Sequence, residues 1–502
     1  MRRIMILFIG VFLCLGTNAQ TCIVSGEITN ATDTTLSLDL LFAGAHFRNQ
    51  SVDVLVRHGK FTNEIKLPYP VFALFKAYGQ ERRVLLMPSR NLHFVLDAKN
   101  PENIQLKGKA AEENTLLYQL KIGEMPFFVK DEEAQNKYAR MPMDSLQQEV
   151  VVRTHNECAE ADAQITKSTI PDNLKNILSK EVHYVNQCYL YDFAQNYMRW
   201  VKNKEQEAFL ARVMHVEPLP DSATLVSCLF ANMMLSNYCS YELINAGKDI
   251  KKDSAGGKAV IEQLFRMPFP EIMQQAKKYG ERYMLTWLYA KYNLAPSVRD
   301  KILFNNIMEG CHNKLYTIAT LLQDTLQHYF PNSHYLTMAK AEVNKMKEVL
   351  KKESDNQKIV FHPGTTVQSF KALTDLYKDK VIYLDIWGTW CGPCREEMRN
   401  APALKKRYAD KDIVFVYLDM DEDNKENDWK EMARIYGLEG HHYRMDNEKI
   451  QALWKEIEQE GGNTNRYPTY VLFDKNGKML QANAARPSDG EKLYAQIDIL
   501  LK

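Results

Sequence analysis

Along residues 20–108, apolar and polar side chains alternate at a period of two. CIVSGEI, TLSLDLL, SVDVLV, KFTNEIKL, VFALFKA, RRVLLM and NLHFVLD are short runs rich in β-branched and aromatic residues. His58-Gly59, Pro68-Tyr69-Pro70, Tyr78-Gly79 and Pro88-Ser89 separate them. Each run reads as a strand and each break as a turn. Val52, Val54 and Val56, resumed after the turn by Phe61 and Ile65, read as a hairpin with one buried face. The segment is expected to fold as a small β-sandwich.

From residue 109 to 355 the period changes to three and four. Val182, Val185, Tyr189, Phe193, Tyr197 and Trp200 fall on one helical stripe. Pro171-Asp172, Leu219-Pro220-Asp221-Ser222, Pro268, Pro270, Pro296-Ser297 and Pro331-Asn332-Ser333 mark helix starts. Roughly eight to ten helices are expected here, packed as antiparallel pairs. One is read as running through TLVSCLFANMMLSNYCSYELI, with Cys228 and Cys239 on a shared face. No fixed-period signature of a helical repeat occurs. Met233-Met234 and Trp287-Leu288-Tyr289 read as core. A charged helix and the hinge SDNQK close the region. Its acids and bases interleave, which marks a solvated surface.

Residues 356–502 mix the two periods. Val381–Ile386 is a strand, and Cys394–Tyr408 is an amphipathic helix kinked by Pro402. Asp412–Leu418, DIVFVYL, is an all-apolar run suited to a parallel strand covered on both faces. Helices follow at Lys425–Tyr436 and Asp446–Glu458. A hairpin, Thr469–Asp474 with Lys478–Ala482, and a helix over 489–501 end the chain.

The chemistry is concentrated in VIYLDIWGTWCGPC, Val381–Cys394. A strand runs into two cysteines with two residues between them, at the start of a helix. The unpaired N–H groups and positive dipole end there favour a thiolate at Cys391. A thiolate is the attacking species in disulfide exchange. Cys394, one turn on, is within reach of a mixed disulfide. Gly392-Pro393 turns the chain and starts the helix. A zinc site wants a second pair of ligands, and His441-His442, read as a loop, fit poorly. Haem attachment needs a histidine after the second cysteine, where Arg395 stands. His46, His58 and His93 are scattered and read as turn or surface residues. No metal or organic cofactor is required, because both electrons reside in the two sulfurs.

WCGPC resembles the active site of the thioredoxin superfamily, and its surroundings look most like the extracytoplasmic TlpA/ResA-type thiol–disulfide oxidoreductases. The resemblance covers roughly residues 356–502. It implies a thioredoxin-like α/β fold, Cys391 as the exposed nucleophile and Cys394 as the buried resolver, the two forming a redox-active disulfide. It further implies that Asp385 is a buried acid moving the proton of Cys394. Arg466-Tyr467-Pro468-Thr469, with TYVLFD and the turn Lys475-Asn476-Gly477, is similar to the family's cis-proline loop, strand and hairpin. Tyr467 and Pro468 are then substrate contacts, with Trp390 bordering the nucleophile. ResA-like proteins often carry a glutamate between the cysteines, and here Gly-Pro stands there. The β-rich segment looks like the N-terminal domain found ahead of thioredoxin modules in Bacteroidetes secreted proteins. The domain reading is a signal peptide at 1–19, a β-rich domain at 20–108, a helical domain at 109–355 and a thioredoxin-like domain at 356–502.

Composition adds compartment and excludes some partners. The chain has 502 residues, 45% of them hydrophobic, which suits several domains with real cores. A net charge of +1 gives no electrostatic case for nucleic acid. Arg2-Arg3, an apolar run over Ile4–Leu15 and small residues to Ala19 read as a signal peptide, too short to span a membrane. Ala19-Gln20-Thr21 lacks the small residue a lipobox wants before Cys22. Export to the periplasm or cell envelope follows as the expectation, with no spanning segment in the mature chain. Partners expected are protein thiols and disulfides and, by family analogy, a membrane thiol-redox partner that keeps the protein a reductant. Cys22, Cys158, Cys188, Cys228, Cys239 and Cys311 read mostly as free buried cysteines. An alternative reading is an envelope binding or scaffold protein with an ancillary redox module.

Overall fold

The structure, a computed structural model, describes residues 19–44, 47, 50–199, 203–252, 254–365, 367–422 and 425–502. The expected signal segment up to Asn18, His46 and the stripe residue Trp200 lie outside the described residues. The chain divides into two compact units, Met1–Glu309 with Leu321–Lys340, and Gly310–Thr320 with Ala341–Lys502.

In the first unit, eight strands form two four-stranded sheets. They are β1 (Gln20–Thr29), β2 (Thr34–Leu40), β3 (Gln50–Val56), β4 (Lys60–Leu67), β5 (Val71–Ala77), β6 (Gln80–Leu86), β7 (Leu92–Asp97) and β8 (Asn100–Lys107). The sheet orders are β4-β1-β7-β8 and β3-β2-β5-β6. The expected hairpin over Val52–Ile65 is therefore corrected. His58 and Gly59 turn the chain with φ of 50° and 70°, and one bridge joins Arg57 to Lys60. The strands then part, β3 pairing with β2 and β4 with β1. Each strand keeps its alternation because each buries its apolar face in a different sheet. Strand β8 was not expected. It carries Pro101 and buries none of its residues fully, so it lacks an apolar signature and is defined by pairing with β7.

Helices fill residues 111–353 in more segments than the eight to ten expected. The helix expected through Cys228 is broken there, where φ −110° and ψ 125° are extended values, giving Ser222–Ser227 and Leu229–Lys252. Asp221 caps the first piece by accepting from the Thr224 N–H at 2.8 Å. Val182, Val185 and Phe193 of the expected stripe are buried. Cys22, Cys158, Cys188, Cys228, Cys239 and Cys311 are free and buried.

One polar cluster here gives a pH prediction. His183 contacts Glu217 Oε1 at 2.8 Å and Asp162 Oδ2 at 2.9 Å. Glu217 and, less strongly, Asp162 push its pKa up to about 9 against an opposing effect of burial. A raised histidine pKa contributes stability that is full below about 6.5 and is lost as pH rises through about 9. The melting temperature is expected to fall over that window, and His183→Gln is expected to flatten that part of the curve. Identical curves for the two proteins contradict the pairing.

The second unit holds a six-stranded sheet in the order β14-β13-β10-β11-β12-β9. Its strands are β9 (Ile359–Phe361), β10 (Val381–Trp387), β11 (Ile413–Asp419), β12 (Gly440–Arg444), β13 (Thr469–Phe473) and β14 (Met479–Gln481). β10 pairs parallel with β11 and antiparallel with β13. Every residue of β10 is buried, as a central strand covered on both faces requires. Val381, Tyr383 and Trp387 join one core with Cys391, Cys394, Met398, Leu404 and Leu493. Ile382, Leu384 and Ile386 join the other, with Phe370, Leu373, Trp454 and Ile457. Two expectations are corrected. His441 and His442 lie on β12, not a loop. Pro402 ends rather than kinks the helix, which divides into Gly392–Met398 and Ala401–Arg407 with Pro402 in the first turn of the second. Gly310–Thr320, read from sequence as helical domain, belongs to this unit. Leu315 packs on its core, and Thr317 Oγ1 donates to Glu431 Oε2 at 2.9 Å.

Candidate active site

The central strand β10 delivers the chain to the site. Gly388 follows it, and a Cβ there would lie 2.7 Å from the Trp390 ring. The bare backbone thus admits the indole. Cys391 is the N-cap of the helix Gly392–Met398, with extended φ −83° and ψ 102°. The Cys394 N–H donates to Cys391 Sγ at 3.1 Å, and the two cysteines form a disulfide with Cα atoms 5.3 Å apart. Because this helix is short, the direct N–H contact rather than a long dipole favours negative charge on that sulfur.

Exposure departs from expectation. Cys394 is 1% exposed, and Cys391, expected at the surface, is only 4% exposed. The apolar core that takes in both sulfurs explains this. Trp390 is 56% exposed and meets the half-buried Tyr467 edge-on, with centroids 4.9 Å apart. The Tyr467–Pro468 bond is cis. Thr469 pairs with Ile386, so Pro468 lies at the end of the sheet where β10 enters the cysteine turn.

Asp385 occupies the β10 face that carries Tyr383 and Trp387 toward the cysteines. It is buried, and its Oδ1 has no hydrogen-bond partner among the described residues. Burial pushes its carboxyl up to about 8, with Glu397 adding repulsion and Lys405 opposing both. At neutral pH the group is mostly protonated.

Four neighbours escaped the sequence reading. Glu397 is three residues past Cys394, on the same helical face. It accepts from the Ser488 N–H at 3.0 Å and the Ser488 hydroxyl at 2.9 Å. The i, i+3 spacing from a cysteine already chosen is a signal that could have found it. Lys405 is half-buried, donates to the Glu439 carbonyl, and its Nζ lies 3.4 Å above the Phe415 ring. Burial holds its amine well below the ordinary lysine range. Arg395 and Asp421 grip the backbone of Thr389. No sequence spacing announces Lys405 or Asp421. Among the described residues, no group of three or more His, Cys, Asp or Glu is placed to hold a metal ion. His442 is instead a buried core ring, stacked on Tyr417 and bonded to the Leu438 carbonyl at 2.7 Å. Burial lowers its pKa to about 3.

The arrangement is a dithiol/disulfide pair with a buried acid on the same face of the sheet and the Trp390–Tyr467 aromatic pair beside it. The chain is similar to several known proteins. A Redoxin family model matches residues 358–497. The thiol-disulfide oxidoreductases ResA of Bacillus thuringiensis (strain Al Hakam) and Bacillus anthracis are each 30% identical over 159 residues, which is 32% of this chain and 80% of the relative. A candidate thiol-disulfide oxidoreductase from Bacteroides vulgatus, solved in solution, is 35% identical, with 26% of this chain and 78% of that one aligned at a TM-score of 0.22.

Proposed function

Because this chain belongs to the ResA-like thiol–disulfide oxidoreductases of the thioredoxin superfamily, we propose that it is an exported reductant of protein disulfides acting through Cys391 and Cys394. The observation that carries the reading is the Cys391–Cys394 disulfide at a helix start, with the Cys394 N–H on Cys391 Sγ. In the reduced protein, the Cys391 thiolate attacks one sulfur of a substrate disulfide. A mixed disulfide forms, and the leaving sulfur departs as a thiolate and takes a proton. Cys394 then loses its proton to the ionised fraction of Asp385 and attacks Cys391 Sγ. The second substrate sulfur leaves, also to be protonated. Two electrons pass from enzyme to substrate; of the two protons the product thiols take up, one is replaced by that of Cys394 and the other comes from solvent. Trp390, Tyr467 and Pro468 supply the surface on which an extended substrate segment lies beside the sulfurs.

A membrane thiol carrier is the proposed source of new electrons, and the periplasm or cell envelope the proposed place of work. No helix among the described residues is long and apolar enough to cross a membrane. We read the two N-terminal sheets as a sandwich, on the support of Phe75 stacked on Phe94 at 4.3 Å and lying 5.9 Å from Phe61 across the sheets. The signal peptide at 1–19 and the boundaries at 108 and 355 remain part of the proposal.

Direction is tested by reduction potential, through equilibration against glutathione buffers and thiol trapping. A value near about −270 mV, as for thioredoxin, is expected of a reductant recharged from outside. A value near about −120 mV makes the protein a disulfide donor and overturns the direction.

A further inference from the structure

The Thr389 peptide, two residues before the nucleophile, is held from both sides. Its N–H donates to Asp421 Oδ2 at 3.0 Å, and its carbonyl accepts from Arg395 Nη1 at 2.6 Å. The Asp421 carboxylate is buried at the end of β11, beside Asp419, whose Oδ2 accepts from the Asp421 N–H at 3.2 Å. The second arm of Arg395, Nη2, donates to Asn313 Oδ1 at 3.1 Å. A Cβ on Gly392 would lie 3.8 Å from that same Nη2. The guanidinium therefore lies along the turn between the two cysteines. Asn313 belongs to Gly310–Thr320, far upstream of the residues 358–497 that match the family model. Leu315 in the core and the Thr317–Glu431 bonds tie that segment to the unit.

We infer that Asn313 is a positioning residue of the redox site, anchoring Arg395 so that its guanidinium fixes the Thr389 peptide and holds positive charge beside Cys391. The inference rests on the proposed roles of Cys391 and Cys394. A fixed cation near a thiol favours the thiolate. Stabilising the thiolate stabilises the dithiol form and raises the reduction potential. The charged groups around the neighbouring His312 are mostly cationic. His312 is held below its ordinary pKa by burial and then by Arg399, with Lys314 and Arg395 adding and Glu396 opposing. The carboxylates on the other side of the loop, Asp419 and Asp421, engage the backbone and each other rather than the guanidinium. Reactivity of the nucleophile then depends on a residue outside the stretch that matches the family model, and the segment Gly310–Thr320 becomes part of the redox site.

The test uses the full chain with Asn313→Ala, Arg395→Lys and Thr317→Val. Two quantities are read: the pH dependence of Cys391 alkylation in the reduced protein, and the equilibrium constant of the pair with glutathione. Asn313→Ala is expected to move the alkylation inflection upward and shift the equilibrium about fivefold toward the disulfide. Arg395→Lys keeps the charge but loses the two-armed hold, and is expected to give a smaller shift of the same sign. Thr317→Val loosens the same segment but keeps the Asn313–Arg395 contact, and is expected to shift both quantities much less than Asn313→Ala. The inference fails if Asn313→Ala leaves both quantities unmoved, or if Thr317→Val moves them as far. Should Asn313→Ala not fold, an unshifted Arg395→Lys overturns it. A pair that does not cycle in the unaltered protein would instead sink the redox reading, and the same titration shows that separately.

Discussion

Cys391→Ser is expected to remove disulfide exchange, and Cys394→Ser to stall it halfway. A serine hydroxyl is not ionised at neutral pH, so the first attack does not occur. Reduction of a protein disulfide is expected to fall to background, by at least about 10³-fold, the scale on which loss of a nucleophile registers. The other cysteines cannot substitute. They are buried, and burial pushes Cys22 up to about 11 and Cys158 up to about 12, leaving little thiolate. Cys394→Ser keeps the attacking sulfur and loses the resolving one. The protein should accumulate as a covalent adduct through Cys391, visible on non-reducing electrophoresis and released by dithiothreitol. Retention of a tenth or more of the activity by Cys391→Ser, or adducts at any other cysteine, would break the assignment of roles.

Asp385→Asn is expected to stabilise the protein while slowing it. The carboxyl ordinarily titrates near 3.8 and in the fold near 8. Below about 4 both states hold the proton and the fold bears no cost. As pH rises toward 8 the unfolded chain releases its proton and the folded one does not, so stability falls. The amide removes that loss. At neutral pH the gain is expected to be on the order of a few kcal/mol, read from denaturant unfolding at several pH values. The same proton serves the chemistry. An acid near 8 can take the proton of Cys394 as it becomes the attacking thiolate and return it in the reverse step. The rate profile of the unaltered protein should therefore show an inflection near 8 that Asp385→Asn lacks. If Asp385→Asn is less stable than the parent across this range, or keeps the inflection, the acid role of Asp385 is wrong.

What was legible in the chain was local. The cysteine pair, the turn and the helix start are contiguous, and their chemistry needs only neighbours in sequence. Asp385 was legible only through the family resemblance, and the strand's alternation agrees by placing it on the face of Trp387. Glu397 was within reach by helical spacing. Asn313, Lys405 and Asp421 were not, because each meets the site only through tertiary packing. The burial of Cys391 was hidden for the same reason, since it comes from the core that gathers around the turn. The β3–β4 error has another cause. A tight His58-Gly59 turn between alternating strands looks the same whether the strands stay paired or part into two sheets. Strand β8, with its proline and exposed side chains, is made by its partner β7 and not by its own pattern.

The most direct test of the central claim is the redox state of each cysteine across a range of poise. The whole chain is equilibrated in buffers from fully reducing to fully oxidising, alkylated and mapped by peptide mass. Cys391 and Cys394 are predicted to open and close together in a single two-electron transition, while the six buried cysteines stay reduced throughout. A pair that stays in one state at every poise, or a transition that lies at other cysteines, would contradict the account.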